Sequence, residues 1–313
     1  MTASRTEDSA YNISTKEKVP ALDDVMEFCT KCTNVALDFS NTLFAKDRPH
    51  CYGNALQMAC AEGFYCIAQK LVLDGADVND QSRWYGNALQ AACAEGHESI
   101  AQMLLDHGAR VNAVGGHYNT ALQAACAEGH GLLAHKVLDK GADIDAAGGH
   151  YRSALQAASF TGRRQIVQLL LDKNANPNAG GGSYGNPLAA ASFGGHAGIV
   201  QTMLKAGAEI NVTSGSRSAL QMACWEGYGD IAKTLLENGA DINAHHEFYG
   251  DPLQAASYRG SIQIVGMLLH EGADVRAAAG WFGNAVQAAT AGFHTEIRQI
   301  LLSHTIRNSS SNV

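Results

Sequence analysis

Apolar residues along most of the chain recur at helical spacing, in short stretches separated by polar loops. In one stretch Ile100, Met103 and Leu104 lie three and four positions apart, on one face of a helix. Another short helical stretch precedes each of these, and a glycine separates the two. The pattern therefore predicts an all-α chain of short helices in pairs, joined by loops.

The helix pair recurs with a period of 33 residues. Each of eight copies begins at one of the following residues: Tyr52, Tyr85, Tyr118, Tyr151, Tyr184, Ser216, Tyr249 and Phe282. The interval before Ser216 is one residue shorter than the others. Because stacked repeats grow without closing a globular core, the chain is interpreted as one repeat domain over residues 50–307.

Each copy also carries the residues that begin and end helices. A side chain able to cap a helix N-terminus precedes every first helix: Asn54, Asn87, Thr120, Ser153, Asn186, Ser218, Asp251 and Asn284. Glycine or asparagine, which accept a left-handed C-terminal cap, end the second helices: Gly75, Gly108, Gly141, Asn174, Gly207, Gly239 and Gly272. These local signals agree in every copy, so the fold is well specified.

Four short motifs carry a family resemblance. Asn87-Ala-Leu-Gln, Gly96-His97, Leu104-Leu105 and Gly108-Ala-Arg-Val-Asn112-Ala resemble the ankyrin repeat, whose usual pattern is Thr-Pro-Leu-His, Gly-His, Leu-Leu and Gly-Ala-Asp-Val-Asn-Ala. The resemblance implies an ankyrin repeat solenoid of about eight helix-turn-helix-loop units. The Asn-Ala-Leu-Gln variant looks like one common in ankyrin proteins of filamentous fungi. The resemblance also implies that certain histidines bond the backbone of a neighbouring loop: His97, His130, His196 and His294.

Both ends of the chain fall outside the repeat. Residues 1–19 are polar and are expected to form a disordered tail. Apolar positions in residues 20–49 predict one or two helices that cap the stack. Residues 308–313 are expected to be a polar C-terminal tail.

The resemblance implies that a partner is held on the concave side of the stack. In the family, contacts come from the loop before each first helix, here called a finger, and from the end of the first helix. The residues before the repeated tyrosine form the finger ladder, whose predicted contacts are Trp84, His117, His150, Phe248 and Trp281. The tyrosines recur strictly, so they are interpreted as structural.

The helix-end ladder, formed by the last residues of the first helices, changes character along the chain. Its first three copies carry carboxylates that we expect to steer a basic part of a partner: Glu62, Glu95 and Glu128. Its next four copies carry aromatic rings: Phe160, Phe193, Trp225 and Tyr258. Three arginines are predicted to lie nearby: Arg152, Arg217 and Arg259.

The four rings are predicted to form an exposed stripe that grips an apolar or aromatic segment of a partner. Replacing Phe193 and Trp225 by alanine is then expected to weaken binding and to leave the melting temperature nearly unchanged. The alternative is that the rings pack against one another and fill the groove.

Composition and charge exclude some classes of protein. The net charge of −8 argues against a nucleic-acid scaffold, which needs a basic face. No apolar run approaches the roughly 18 residues that span a bilayer. The eight cysteines have spacings that suit packing. We therefore expect a monomer in the cytoplasm or nucleus that binds neither nucleic acid nor membrane.

Candidate chemistry is sparse. Cysteine alternates with serine or threonine at one helix position, which indicates packing, and Cys29 and Cys32 have no second pair to complete a metal site. His117 and His150 lack further ligands. The sequence thus predicts no catalytic residue, metal or cofactor, and a scaffold that holds a protein or peptide. The alternatives are a small-molecule-binding protein or motif-less enzyme that uses the aromatic groove, or oligomerisation through that groove.

Overall fold

A computed structural model describes residues 54–182, 184–212, 218–245, 250–278 and 280–310, with side chains to residue 306. These residues form sixteen α-helices in consecutive pairs. The first helices of the pairs are α1 (Ala55–Ala61), α3 (Ala88–Glu95), α5 (Ala121–Glu128), α7 (Ala154–Phe160), α9 (Pro187–Phe193), α11 (Ala219–Glu226), α13 (Pro252–Arg259) and α15 (Ala285–Ala291). The second helices are α2 (Tyr65–Leu73), α4 (Glu98–Asp106), α6 (Gly131–Asp139), α8 (Arg164–Asp172), α10 (Ala197–Lys205), α12 (Gly229–Glu237), α14 (Ile262–His270) and α16 (Thr295–Ser310).

The predicted all-α repeat is confirmed over the described ranges, which hold helices and isolated β-bridges between loop residues, such as that of Gly115 with Asn119. The last helix, α16, runs into the segment 308–313 that was expected to be a tail. The tail at residues 1–19 and the cap at residues 20–49 lie outside the described residues and stay predictions.

The predicted N-caps are confirmed in all eight first helices. The Asn87 side chain, for example, accepts a hydrogen bond from the backbone N–H of Gln90 at 2.9 Å. This bond satisfies one of the N–H groups that a helix start leaves unpaired. The Gln90 side chain in turn accepts from the Asn87 backbone N–H at 3.1 Å, which completes a capping box.

Small residues of the first helices form the centre of the stack. Ala91, Ala92 and Cys93 of α3 are fully buried, so that neighbouring first helices approach closely. The second helices contribute the larger apolar side chains, such as Ile100 and Leu104 of α4. One hydrophobic core therefore continues from repeat to repeat.

In six of the repeats, a buried glutamine in the first helix bonds the loop or finger of the next repeat. The Gln90 Nε2 group donates to the carbonyl oxygens of Ala113 and Asn119, both at 2.8 Å. The same residue of the motif bonds the following loop in five other copies: Gln57, Gln123, Gln156, Gln221 and Gln254. Since buried carbonyls are costly to leave unpaired, these bonds hold the fingers in place.

Asparagines form a similar ladder through the loops that follow the second helices. The Asn79 Nδ2 group donates to the Gly108 carbonyl at 3.1 Å, and its Oδ1 accepts from the Arg110 N–H at 2.8 Å. Asn112 repeats this pair of bonds with Gly141 and Asp143. Side-chain amides therefore link consecutive repeats along two edges of the stack.

Replacing Gln123 by leucine tests the glutamine ladder. The change removes the donor to the Ala146 carbonyl, 2.7 Å away, within the buried interface. We expect the free energy of unfolding to fall by about 1–3 kcal/mol, measured by urea denaturation. The matched substitution Gln168→Leu, at an exposed glutamine of α8, should change it by about 0.5 kcal/mol or less. Equal losses in the two variants would contradict a stabilising role for the ladder.

Candidate functional site

Three predicted contact residues of the finger ladder stack on one another. The ring of Trp84 lies 4.9 Å from that of His117, with their planes 9° apart, and His117 lies 4.9 Å from His150. Backbone bonds keep the fingers in register, because the His117 N–H donates to the Trp84 carbonyl at 2.6 Å and the His150 N–H to the His117 carbonyl at 3.0 Å. The finger tips thus present a continuous aromatic surface, on which Trp84 is 43% exposed.

The aromatic surface continues into the next finger. The Tyr184 hydroxyl lies 3.3 Å from His150 Nε2, and the two rings meet edge to face. Trp281, on the last finger, is 74% exposed. Phe248 and Arg217 lie outside the described residues, so their roles stay predictions.

Two of the predicted acidic residues fasten fingers to helices. The Tyr85 hydroxyl donates to Glu95 at 2.7 Å, and the Tyr118 hydroxyl donates to Glu128 at 2.6 Å. Burial, followed by the bond to Glu128, raises the pKa of the Tyr118 phenol. Glu62, Glu95 and Glu128 are all exposed, so the carboxylates face solvent at the helix ends as predicted. Tyr85 and Tyr118 are thus structural, as the strict recurrence of the tyrosines indicated.

The four rings of the helix-end ladder are half-buried, so the prediction of an exposed stripe is wrong in this respect. Phe160 lies 4.3 Å from the Tyr184 ring and 5.9 Å from the Phe193 ring. Trp225 stacks on Tyr258 at 5.4 Å. The physical reason is that fingers reach over the helix ends. Tyr184 packs on Phe160 and Phe193, and Phe282 packs on Tyr258. The packing alternative therefore describes these contacts, and each of the four residues stays partly accessible to solvent.

The predicted histidine bonds between repeats are confirmed. The Nε2 group of each donates to a carbonyl in the preceding repeat: His97 to Ala61 at 3.0 Å, His130 to Ala94 at 3.0 Å, His196 to Phe160 at 2.9 Å and His294 to Tyr258 at 3.0 Å. These bonds cover carbonyls that the ends of the first helices leave without an intrahelical donor. The histidines are thus structural.

Arg259, predicted to contact a partner, takes over this structural role where the histidine is missing. Ser261 stands at the histidine position of that repeat and is shorter. The Arg259 Nε group donates instead to the Trp225 carbonyl at 2.8 Å, and the guanidinium lies 5.6 Å from the Trp225 ring centroid. A further contact of 3.5 Å joins Arg259 to the Glu226 carboxylate. Arg259 therefore contacts both the carbonyl oxygen and the ring of Trp225, and stabilises the position of that residue.

Arg152 lies at a position of the finger where most other copies have glycine. Its φ of 73° falls in the left-handed region that glycine favours. Its side chain lies over the backbone of the next finger, since a Cβ atom at Gly182 would be 3.2 Å from the Arg152 Cβ. Arg152 is exposed and thus remains on the finger surface.

A cavity of about 420 Å³ opens beside Arg259, between the ends of α11, α13 and α15. Its lining is Trp225, Glu226, Tyr258, Arg259, Ser261, Ala291, Gly292, Phe293 and His294. Phe293 and Glu226 were not among the predicted site residues. The signal for Phe293 was in the sequence, because it replaces the glycine found in the other copies.

The buried cysteines offer no reactive thiolate. Burial raises the pKa of the Cys60 and Cys93 thiols to about 12 in each case, so both stay protonated at neutral pH. Among the described side chains, no group of three histidine, cysteine or acidic residues is arranged to hold a metal. None of the described helices is long and apolar enough to cross a membrane.

Replacing Phe193 by alanine tests the packing of the helix-end rings. The ring packs against Phe160, Tyr184 and the core, so its loss should lower the free energy of unfolding by about 1–3 kcal/mol. This corrects the expectation of an unchanged melting temperature. The control Leu132→Ala removes a side chain that is 71% exposed, and should cost about 0.5 kcal/mol or less in urea denaturation. A Phe193→Ala variant as stable as this control would refute the packing.

The finger stack makes stability sensitive to acid. Burial, and next the neighbouring His150, hold the pKa of His117 below its ordinary value, while Glu128 opposes the shift. The unfolded chain therefore binds this proton more readily, so stability is full above the ordinary histidine pKa of about 6.5 and falls as the pH drops through it. The variant His117→Gln should show a smaller fall in melting temperature between about pH 8 and about pH 5. Equal falls in wild type and variant would exclude this source of acid sensitivity.

Comparison with known families agrees with the repeat architecture. A family model described as "Ankyrin repeats (3 copies)" matches residues 56–148, 133–214, 155–246 and 216–279. Comparison with curated proteins gives no match. Because the overlapping family matches span well over half of the sequence, the chain belongs to the ankyrin repeat family.

Proposed function

We propose that the chain is a non-catalytic binding module that holds a protein partner in the groove between its fingers and the ends of its first helices. Ankyrin repeats are generally protein-interaction modules. The observation that supports this groove is its aromatic edge, where Trp84, His117 and His150 stack in register on successive fingers. A location in the cytoplasm or nucleus is part of the proposal.

The packing of the rings favours binding as well as stability. Side chains such as Phe160 and Phe193 are held by their neighbours, so they lose little conformational entropy when a partner covers their accessible edges. Large aromatic anchors of this kind dominate the energetics of many interfaces. The contacts that stabilise the rings thus also hold them in position for a partner.

The distribution of charge distinguishes the two halves of the groove. The exposed carboxylates of Glu62, Glu95 and Glu128 lie at the helix ends of the first three described repeats. The net charge of −8 has the same sign. A partner with a basic portion is attracted to this half, while its apolar portion meets the rings of the following repeats.

A small apolar ligand is the second candidate for the groove, favoured by one observation. The cavity of about 420 Å³ beside Trp225 and Tyr258 has a volume within the range of about 300–1,000 Å³ that ligand pockets occupy. Its lining includes Trp225 and Tyr258 of the helix-end ladder, so we propose it equally as a recess for a partner's side chain.

Photo-crosslinking tests the proposed function. The photoreactive residue p-benzoyl-phenylalanine is placed at Phe193, where an aromatic ring is retained, and at Leu132 on α6 as the control. We expect irradiation in a lysate of the native cell to attach one protein through position 193 and none through position 132, as shown by mass spectrometry. Capture of a low-mass compound would favour the small ligand. Equal capture from both positions, or none from position 193, would refute the groove.

A further inference from the structure

The last described helix pair, α15 and α16, has one face on which no repeat of the described chain is stacked. Gln287 is exposed there, whereas its counterpart in the preceding repeat, Gln254, is fully buried. Leu302 is 40% exposed, whereas its counterpart Leu269 is 8% exposed. We call this surface, formed by Gln287, Thr290 and Leu302, the end face. In the other repeats, the following repeat covers the same positions.

The end face keeps the groups with which the other repeats bind their neighbours. The Gln287 side-chain oxygen accepts from the Asn284 backbone N–H at 3.1 Å, as that of Gln90 accepts from Asn87. In this arrangement the Gln90 Nε2 group donates to the Ala113 carbonyl in the next repeat at 2.8 Å. The end face is therefore complementary to the finger of a further ankyrin repeat. Head-to-tail contacts of this type between molecules build open filaments.

The turn between the two helices of a repeat lies against the next repeat. Seven copies have a glycine with a positive φ in this turn: Gly63, Gly96, Gly129, Gly162, Gly195, Gly227 and Gly260. A Cβ atom at Gly260 would lie 2.4 Å from the His294 ring, and across the seven glycines the nearest atom of the following repeat would be 2.4–3.3 Å away. Packed carbon atoms stay about 3.5–4.0 Å apart. Stacking of the next repeat therefore requires a residue without a Cβ atom.

Phe293 stands at this position in the last described repeat. Its φ of 60° lies in the same left-handed region, so its Cβ atom occupies the space that the glycines leave to the next repeat. A Cβ atom is unfavourable in this conformation. The side chain is also 90% exposed, so it gains little from contacts with its own chain. The stability of its own repeat thus does not explain the phenylalanine.

A histidine of a further repeat has no room to turn away from Phe293 without losing its own hydrogen bond. The Nε2 group of His294 donates to the Tyr258 carbonyl at 3.0 Å, and that of His196 donates to the Phe160 carbonyl at 2.9 Å. To reach contact distance from a Cβ atom, such a ring has to move by about 1 Å. The movement breaks the bond and leaves a carbonyl at a helix end unpaired.

We propose that Phe293 is a stop residue, which keeps an ankyrin repeat of another molecule, a second copy of this chain included, from stacking on the end face. The Cβ atom of Phe293 closes the stack to further repeats, although the end face has the groups that would bind them. This role does not depend on which partner the groove holds.

Moving the phenylalanine one repeat earlier tests the stop in the full chain. The variant Gly260→Phe places a Cβ atom against the His294 ring, and the control Gly272→Phe places one where no atom lies within 4 Å. Both glycines have a left-handed φ, 82° and 91°, so the backbone strain is matched. Hydrogen–deuterium exchange of the amides in α15 and α16 should be at least about tenfold faster in Gly260→Phe than in Gly272→Phe. Equal exchange in the two variants would overturn the proposal.

Adding a repeat tests the stop at its natural position. Residues 304–313 are replaced by a second copy of residues 271–303, which continues the 33-residue period and brings the copied histidine to Phe293. We expect the amides of the added helices to exchange at least about tenfold more slowly when Phe293→Gly is introduced at the original position.

The variant Phe293→Asn of the extended chain separates lost space from backbone strain. Asparagine tolerates the left-handed region, as Asn119 and Asn174 do in this chain, but it keeps a Cβ atom. The added helices should therefore exchange as fast in Phe293→Asn as with Phe293 retained. Slow exchange in Phe293→Asn, or equal exchange with phenylalanine and with glycine at this position, would refute the stop.

Discussion

The whole stack depends on one hydrogen-bonding requirement, which is that the finger loops carry backbone carbonyls with no helix or strand to satisfy them. The amide of a buried glutamine meets this need across the repeat boundary, as Gln90 does for Ala113 and Asn119 at 2.8 Å. Because an unpaired buried carbonyl is costly, this amide fixes six of the fingers against the first helix of the preceding repeat. The finger stack of Trp84, His117 and His150 then follows, since rings on fingers held at equal spacing come into contact.

Several residues of the groove serve the stack and its surface together. Glu95 and Glu128 accept the tyrosine hydroxyls of their own fingers and still face solvent. Arg259 holds the Trp225 carbonyl and covers its ring. In the proposed groove these side chains are already held by contacts within the chain, which would reduce the entropy lost on binding a partner. Because the same side chains serve the stack and its surface, few aromatic residues of the groove can be removed without a loss of stability.

The sequence was sufficient for features that depend on neighbouring residues. Helix caps such as Asn87 and the glycines that end helices were predicted correctly, because their bonds lie within a few positions. The role of Gln90 was not predicted, since its acceptors are 23 and 29 residues away. The burial of Phe160 and Phe193 depends on how far the fingers reach over the helix ends, and periodicity carries no information on that distance. The replacement of glycine by Phe293 was visible in the sequence, but the cavity that Phe293 lines is apparent only in the three-dimensional structure.

The one irregular interval of the repeat supports the conclusion that the glutamine fixes the finger that follows its helix. Six of the seven intervals between copies are 33 residues, and the interval from Tyr184 to Ser216 is 32. The asparagine ladder places the missing residue after Asn211, which bonds Gly239 and Asp241 at separations of 28 and 30 residues, whereas Asn178 bonds Gly207 and Glu209 at 29 and 31. From Gln221 onward the separations return to 23 and 29 residues, so the deletion lies in the finger between Asn211 and Ser218. The helix that precedes this finger has Ala189 in place of the glutamine. The one finger whose length differs therefore follows the one first helix that lacks the glutamine before a further repeat.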